Sequence, residues 1–204
     1  MRPEEIKLIL ASGSPRRTEL LHTAGLPHEV IVSGADENVG LHEPRTLVEK
    51  LSARKAQDVY DRVMAEQEND DADFAVIGAD TVVALDGVIL GKPQDEEDAA
   101  HMLRMLSGRS HHVYTGVTLH GMQGGRESVR TFSEESTVYV AGLSEAEITS
   151  YLRTGEPMDK AGAYGIQGAF CKFVTRIEGD YFNIVGLPVG RVYRELKSFC
   201  NDPA

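Results

Sequence analysis

Phe74-Ala75-Val76-Ile77-Gly78-Ala79-Asp80-Thr81-Val82-Val83-Ala84-Leu85-Asp86-Gly87-Val88-Ile89-Leu90 (residues 74–90) holds three apolar runs and two carboxylates, the second in a tight-turn dipeptide. Phe74 to Ile77 reads as a buried strand and Thr81 to Leu85 resumes it, with Gly78-Ala79-Asp80 between them. Short apolar runs bounded by turn residues suit strands covered on both faces. Asp86-Gly87 fits a two-residue hairpin turn into Val88-Ile89-Leu90. Upstream, Ile6 to Ala11 is another short apolar run, followed by Ser14-Pro15, a helix start with a capping hydroxyl and a proline suited to the first turn. That helix is expected to reach His22 or Thr23 and to stop at Gly25, with a second strand at Val30-Ile31-Val32.

From Pro44 to about Glu66, Leu47, Val48, Leu51, Val59 and Val63 form the apolar stripe of a long helix. A helix is expected from about Asp95 to Leu106, ended by Gly108. Strands follow around 113–119 and 135–140, and Ser144 with Glu147 opens a further helix through a capping box. Residues 160–168 are glycine-rich and read as a loop. Strands are expected around Phe173 and Ile184, and the last helix starts at Pro188. Strands and helices alternate early and hairpins dominate later, which is the pattern of an α/β fold with a mixed sheet. No linker or repeat divides residues 1–204, so one domain is expected.

The chain has 204 residues, 41% of them apolar, and a net charge of -11. So acidic a chain is a poor general binder of nucleic-acid polymers, which are held by many cations. A small phosphorylated ligand needs only a local cluster of donors. No run is long enough for a membrane span, and the start is too short and acidic for a signal peptide. Cys171 and Cys200 lack metal-ligand spacing and read as reduced thiols of a cytoplasmic protein. The acidic run at 66–73 reads as a solvated loop.

Four places can carry chemistry. In Ala11-Ser12-Gly13-Ser14-Pro15-Arg16-Arg17, two arginines occupy the first turn of a helix, where cations are unfavourable unless an anion sits there. The alternative is a capped helix with solvent-facing arginines. Asp80 lies inside an apolar run, and a carboxylate there must be paired, hydrogen-bonded or bound to metal. Glu37, just past the second strand, can approach it, and two carboxylates holding Mg²⁺ against phosphate is a standard arrangement. Asp80 can equally cap a turn or pair with a structural arginine. Lys55 falls on the apolar stripe through Leu51 and Val59 and either snorkels to water or meets phosphate in a cleft. Lys92 and Arg109 are further candidates for phosphate, or plain surface charges. In the loop Asp159 to Gly168, Gln167 has an amide that can both donate to and accept from a base edge. No Walker motif, dinucleotide fingerprint or zinc motif is present, and His111 and His112 read as structural or surface residues.

Taken together, LASGSPRR (10–17), GADTVV (78–83), GKP (91–93), SGRSHHVYTGV (107–117), EPMDKAGAYGIQG (156–168) and IEGDYFNIVGLPV (177–189) resemble the Maf family of nucleoside triphosphate pyrophosphatases. The resemblance runs from about Leu8 to Phe199. It implies an elongated Maf/ITPase-like α/β fold, with two lobes around a nucleotide cleft. It also implies Asp80 as proton acceptor, a divalent cation (Mg²⁺ or Mn²⁺) as cofactor, held by Glu37 and Asp80, and a nucleoside triphosphate as partner. Ser14, Arg16, Arg17, Lys55, Thr81, Lys92 and Gln167 are then expected to bind substrate. Arg16, Thr81 and Gln167 match the group acting on dTTP and UTP. The resemblance leaves a homodimer open, as well as a nucleotide-binding regulator of cell division with little turnover and a nucleotidyltransferase. Phe170 stands near a place where relatives often carry glycine, and it is expected to alter the loop or narrow the cleft.

Overall fold

A computed structural model of the chain describes residues 2–40, 43–66 and 73–201. Its elements are β1 (Lys7–Leu10), α1 (Pro15–Thr23), β2 (His28–Val30), α2 (Pro44–Glu66), β3 (Phe74–Leu85), β4 (Val88–Leu90), α3 (Glu96–Leu106), β5 (Ser110–Gln123), β6 (Arg126–Val140), α4 (Glu145–Leu152), β7 (Val174–Glu178), α5 (Tyr181–Val185) and α6 (Val189–Asn201). Short 3₁₀ turns fill most of the stretch between α4 and β7. The seven strands form one sheet in the order β2-β1-β3-β5-β6-β7, with β4 also on β3. β1 runs parallel to β2 and β3, and the remaining pairings are antiparallel. The expected α/β class with a mixed sheet flanked by helices is therefore observed.

Several expectations are corrected. β3 is one continuous strand of 12 residues, so Gly78-Ala79-Asp80 interrupts nothing. The second strand lies at His28–Val30, earlier than expected, although Ile31 N–H still donates to the Leu10 carbonyl (3.1 Å). β5 and β6 are much longer than their apolar centres, joined through Gly124 and Gly125, both with positive φ. Ile184 lies in the short helix α5, whose start is capped by Asp180 accepting from Phe182 N–H, and not in a strand. Of the acidic run, residues 67–72 lie outside the described residues.

Strand alternation sorts the core. Phe74 and Val76 pack with Ile9, Ala11, Ala56, Val59 and Val63 under α2. Ala75, Ile77, Ala79 and Val83 face the larger cluster built with α1, α3 and α6. α2 lies close against the sheet: a Cβ at Gly78 would come within 2.2 Å of the Ser52 carbonyl oxygen, and one at Gly116 within 2.3 Å of the Val48 carbonyl. Only glycine permits that approach. Among the described residues, no helix is long and apolar enough to cross a membrane.

One edge of β3 positions the site. β1 covers Phe74 to Ile77 and β4 covers Val83 to Leu85. Ala11 N–H donates to the Ile77 carbonyl (2.9 Å), so odd-numbered residues of β3 point their peptide groups towards that edge. Between the two short strands, Ala79 and Thr81 therefore turn their peptide groups to a gap with no strand among the described residues. A carboxyl-terminal strand end followed by a helix start, beside such a gap, is where open α/β sheets bind ligands.

Candidate active site

A cavity of about 770 Å³ opens at this gap. Its size suits a cofactor- or nucleotide-sized molecule. The gap lets side chains from both faces of β3 reach it: Asp80 from the α2 face, and Thr81 from the opposite one. Ser14, Arg16, Arg17, Glu37, Lys55, Lys92 and Gln167 also line it, so the sequence-predicted residues converge on one place.

At the α2 face, Lys55 Nζ lies 2.7 Å from Asp80 Oδ1 and 2.9 Å from Glu37 Oε1. Lys55 and Asp80 are 13% and 14% exposed, while Glu37 is 66% exposed on its loop. The hydrogen bond from Lys55 holds the Glu37 carboxyl below the usual carboxylate range, with the charges of Lys92 and Arg17 adding to it. Asp80 therefore neither caps a turn nor pairs with an arginine. Lys55 does not snorkel away; α2 aims it along the sheet into the cavity. Two carboxylates converging on one cationic centre are a hard-oxygen donor set that fits a divalent cation, provided phosphate and water supply the other ligands. Among the described residues, no group of three or more His, Cys, Asp or Glu side chains is arranged to hold a metal.

Across the strand, the arrangement is different. Arg17 is buried, and its guanidinium donates to Ser12 Oγ (3.0 Å), Thr81 Oγ1 (3.1 Å) and the Gly186 carbonyl (2.8 Å). Burial lowers its pKa, opposed by the nearby Asp80 charge. Three of its five N–H donors are thus given to protein atoms. Thr81 Oγ1 also lies 2.9 Å from Thr115 Oγ1, and the Thr115 hydroxyl donates to the Asn183 carbonyl (2.9 Å). Asn183 Nδ2 donates in turn to the Val113 carbonyl and to Ser136 Oγ. The sequence singled out none of Thr115, Asn183 and Gly186. The signal was a glycine directly after a short apolar run: Gly186 has φ of 127° and lets its carbonyl meet Arg17.

At the rim, Ser14 is extended at the start of α1 but makes no side-chain cap, contrary to expectation. Its N–H donates to Ser12 Oγ (3.2 Å). Arg16 reaches across the cavity mouth to Asp159 (3.7 Å). Lys160 and Arg16 hold the Asp159 carboxyl below its usual range, the hydrogen bond from Lys160 being the larger cause. Arg109 is not a wall of the cavity; it pairs with Asp86 at 2.6 Å. Phe170 does not narrow the cleft either. It is fully buried and packs against Tyr151, Tyr164 and Phe173 beneath the loop. His111 is buried and touches Tyr164 Oη at 2.7 Å, so its structural reading fits. Cys171 and Cys200 are free thiols, one exposed and one buried.

Residues 7–199 match the family described as Maf-like protein. A dTTP/UTP pyrophosphatase of Bacillus mycoides (strain KBAB4) is 47% identical over 197 residues, covering 96% of this chain and 97% of that protein. Proteins of the same name from Lachnoclostridium phytofermentans and Agathobacter rectalis are 47% and 48% identical, each covering at least 94% of both chains. The chain belongs to the Maf-like protein family.

Proposed function

We propose that this chain hydrolyses nucleoside triphosphates, dTTP and UTP foremost and modified pyrimidine nucleotides with them, to the monophosphate and pyrophosphate. The observation that carries the reading is the convergence of Glu37, Lys55 and Asp80 at the gap in β3, beside the turn that opens α1. Similarity to dTTP/UTP pyrophosphatases along nearly the whole chain supports the same chemistry.

In the reaction, water oxygen bonds to the α-phosphorus as the bond from that phosphorus to the pyrophosphate oxygen breaks. Asp80 takes the proton of the attacking water, and the hydrogen bond from Lys55 orients that carboxylate. Glu37 and Asp80 would hold the divalent cation, Mg²⁺ or Mn²⁺, which supplies neutralisation of phosphate charge. Arg16, Lys92 and the Ser14 hydroxyl bind the triphosphate tail, where developing charge is best met by fixed donors. Arg17 adds positive potential from a buried position while its donors fix the Ser12 turn and Thr81. Gln167, exposed at the far wall, meets the base edge. Residues 1–204 act as one cytoplasmic domain.

Pyrophosphate release measured across a panel of triphosphates, with the products identified, tests the reading. Monophosphate and pyrophosphate from dTTP and UTP are expected, with purine triphosphates cleaved more slowly. Binding without turnover, or a product carrying an acceptor molecule, would refute it.

A further inference from the structure

The turn that presents Gln167 is held from behind by residues that do not line the cavity. Gly168 N–H donates to the Gly165 carbonyl (3.1 Å), closing a tight turn with Gln167 inside it. At one end, Gly165 N–H donates to Tyr151 Oη (3.2 Å). At the other, Ala169 N–H donates to both carboxylate oxygens of Glu156, at 3.2 and 3.0 Å. The carboxylate lies so close that a Cβ at position 168 would stand 2.0 Å from Glu156 Oε2. Gly168 is thus needed for Glu156 to reach the Ala169 amide in this position. Lys160 Nζ donates to the Glu156 carbonyl (2.8 Å), linking the same residue to the wall that faces Arg16.

A carboxylate on a backbone amide is a charge-assisted hydrogen bond, about twice as strong as a neutral one. Gln167 makes no side-chain hydrogen bond of its own among the described residues, so its direction follows from the backbone of this turn. We propose that Glu156 is a positioning residue for base selection, setting the Gly168–Ala169 peptide and through it the Gln167 amide. Tyr151 supports the opposite end. This rests on the reading that Gln167 meets the base.

The test compares kcat and KM for dTTP, UTP, dATP and GTP in the wild type, Glu156→Ala, Gln167→Ala and the double variant. A misplacement of about 1 Å costs up to about 10²-fold. Glu156→Ala is expected to raise KM for dTTP and UTP roughly tenfold, to leave kcat within about twofold, and to narrow the pyrimidine-to-purine ratio of kcat/KM roughly tenfold. In the Gln167→Ala background the same change is expected to leave the ratio unmoved, since the two act through one contact. Glu156→Gln, which keeps one acceptor, is expected to fall between. Tyr151→Phe, which keeps the ring packing, offers the same readout should Glu156→Ala fold poorly. If Gln167→Ala loses base preference while Glu156→Ala and Tyr151→Phe keep it, or if the effects add in the double variant, Glu156 has no positioning role. If Gln167→Ala itself keeps the wild-type preference, the base-reading assignment falls and this proposal with it.

Discussion

Asp80 and Thr81 are adjacent in sequence and lie on opposite faces of one strand, in surroundings of opposite character. Asp80 meets a lysine that also holds Glu37: three charged groups at a half-open wall, each with unused hydrogen-bonding capacity. Thr81 belongs to a closed chain running from Ser12 through Arg17, Thr81 and Thr115 to Asn183 and Ser136, with mostly buried members. The first set can exchange partners when a ligand arrives. The second cannot do so without leaving buried polar groups unpaired, which is costly. Exchangeable charge and fixed frame are separated by the thickness of a single strand.

That contrast can be broken from either side. Asp80→Asn keeps shape and hydrogen bonding but removes the proton acceptor, so turnover of dTTP should drop roughly 10²–10⁴-fold while the thermal midpoint barely moves. Near-normal turnover by the folded variant would sink the charged-wall assignment. Arg17→Leu attacks the frame: Ser12, Thr81 and the Gly186 carbonyl lose their shared donor, and urea unfolding should show a loss of about 3 kcal/mol. An unchanged urea midpoint would mean that the frame is not needed for stability.

A pH experiment sharpens the comparison further, because His111 lies on the same face of β5 as Thr115, and burial depresses its pKa to about 4 from 6.5, with the neighbouring His112 adding a little. Between those values the unfolded chain binds a proton that the folded chain excludes. Its contribution is therefore complete above pH 6.5 and is lost as pH falls towards about 4, amounting to roughly 3 kcal/mol. Thermal melts from pH 7 to pH 4 should show that share of the decline disappear in His111→Gln. The smallest effect is expected from Thr115→Val, which removes one hydroxyl from the middle of the chain and should cost about 1 kcal/mol by urea unfolding, with kcat changed little.

How far the sequence could be read follows the same division. Asp80 and Lys55 were legible because a charge within an apolar pattern contradicts local chemistry, and Glu37 because it lies just past a strand end, where it can approach Asp80. Helix α2 was found from residue 44 to 66 by its stripe, and the α4 start by its capping box. The frame was not legible. Arg17 finds Thr81 and Gly186 at separations of 64 and 169 residues, and nothing local in SPRR distinguishes a buried guanidinium from an exposed one. β3 was read as broken because glycine and aspartate look like turn residues. In the fold that glycine is the contact point for α2 and that aspartate the partner of Lys55. The stretch around Ile184 was read as a strand because the five residues of α5 carry too little periodicity to separate strand from helix. Phe170 was expected to alter the loop or narrow the cleft on its position alone, whereas three aromatic neighbours hold it in the core, away from the cleft.

The interval left uncovered between β1 and β4 has its own consequence. Thr81 lines the crevice and turns its peptide group to that interval, so what it offers there through N–H and C=O persists under any side-chain substitution except proline. The interval exists because two short strands stop where they do. Two more residues zipped onto the end of β1 would take Ala11 and Ser12 into the sheet, narrow the opening and shift the turn from which α1 aims Arg16 and Arg17.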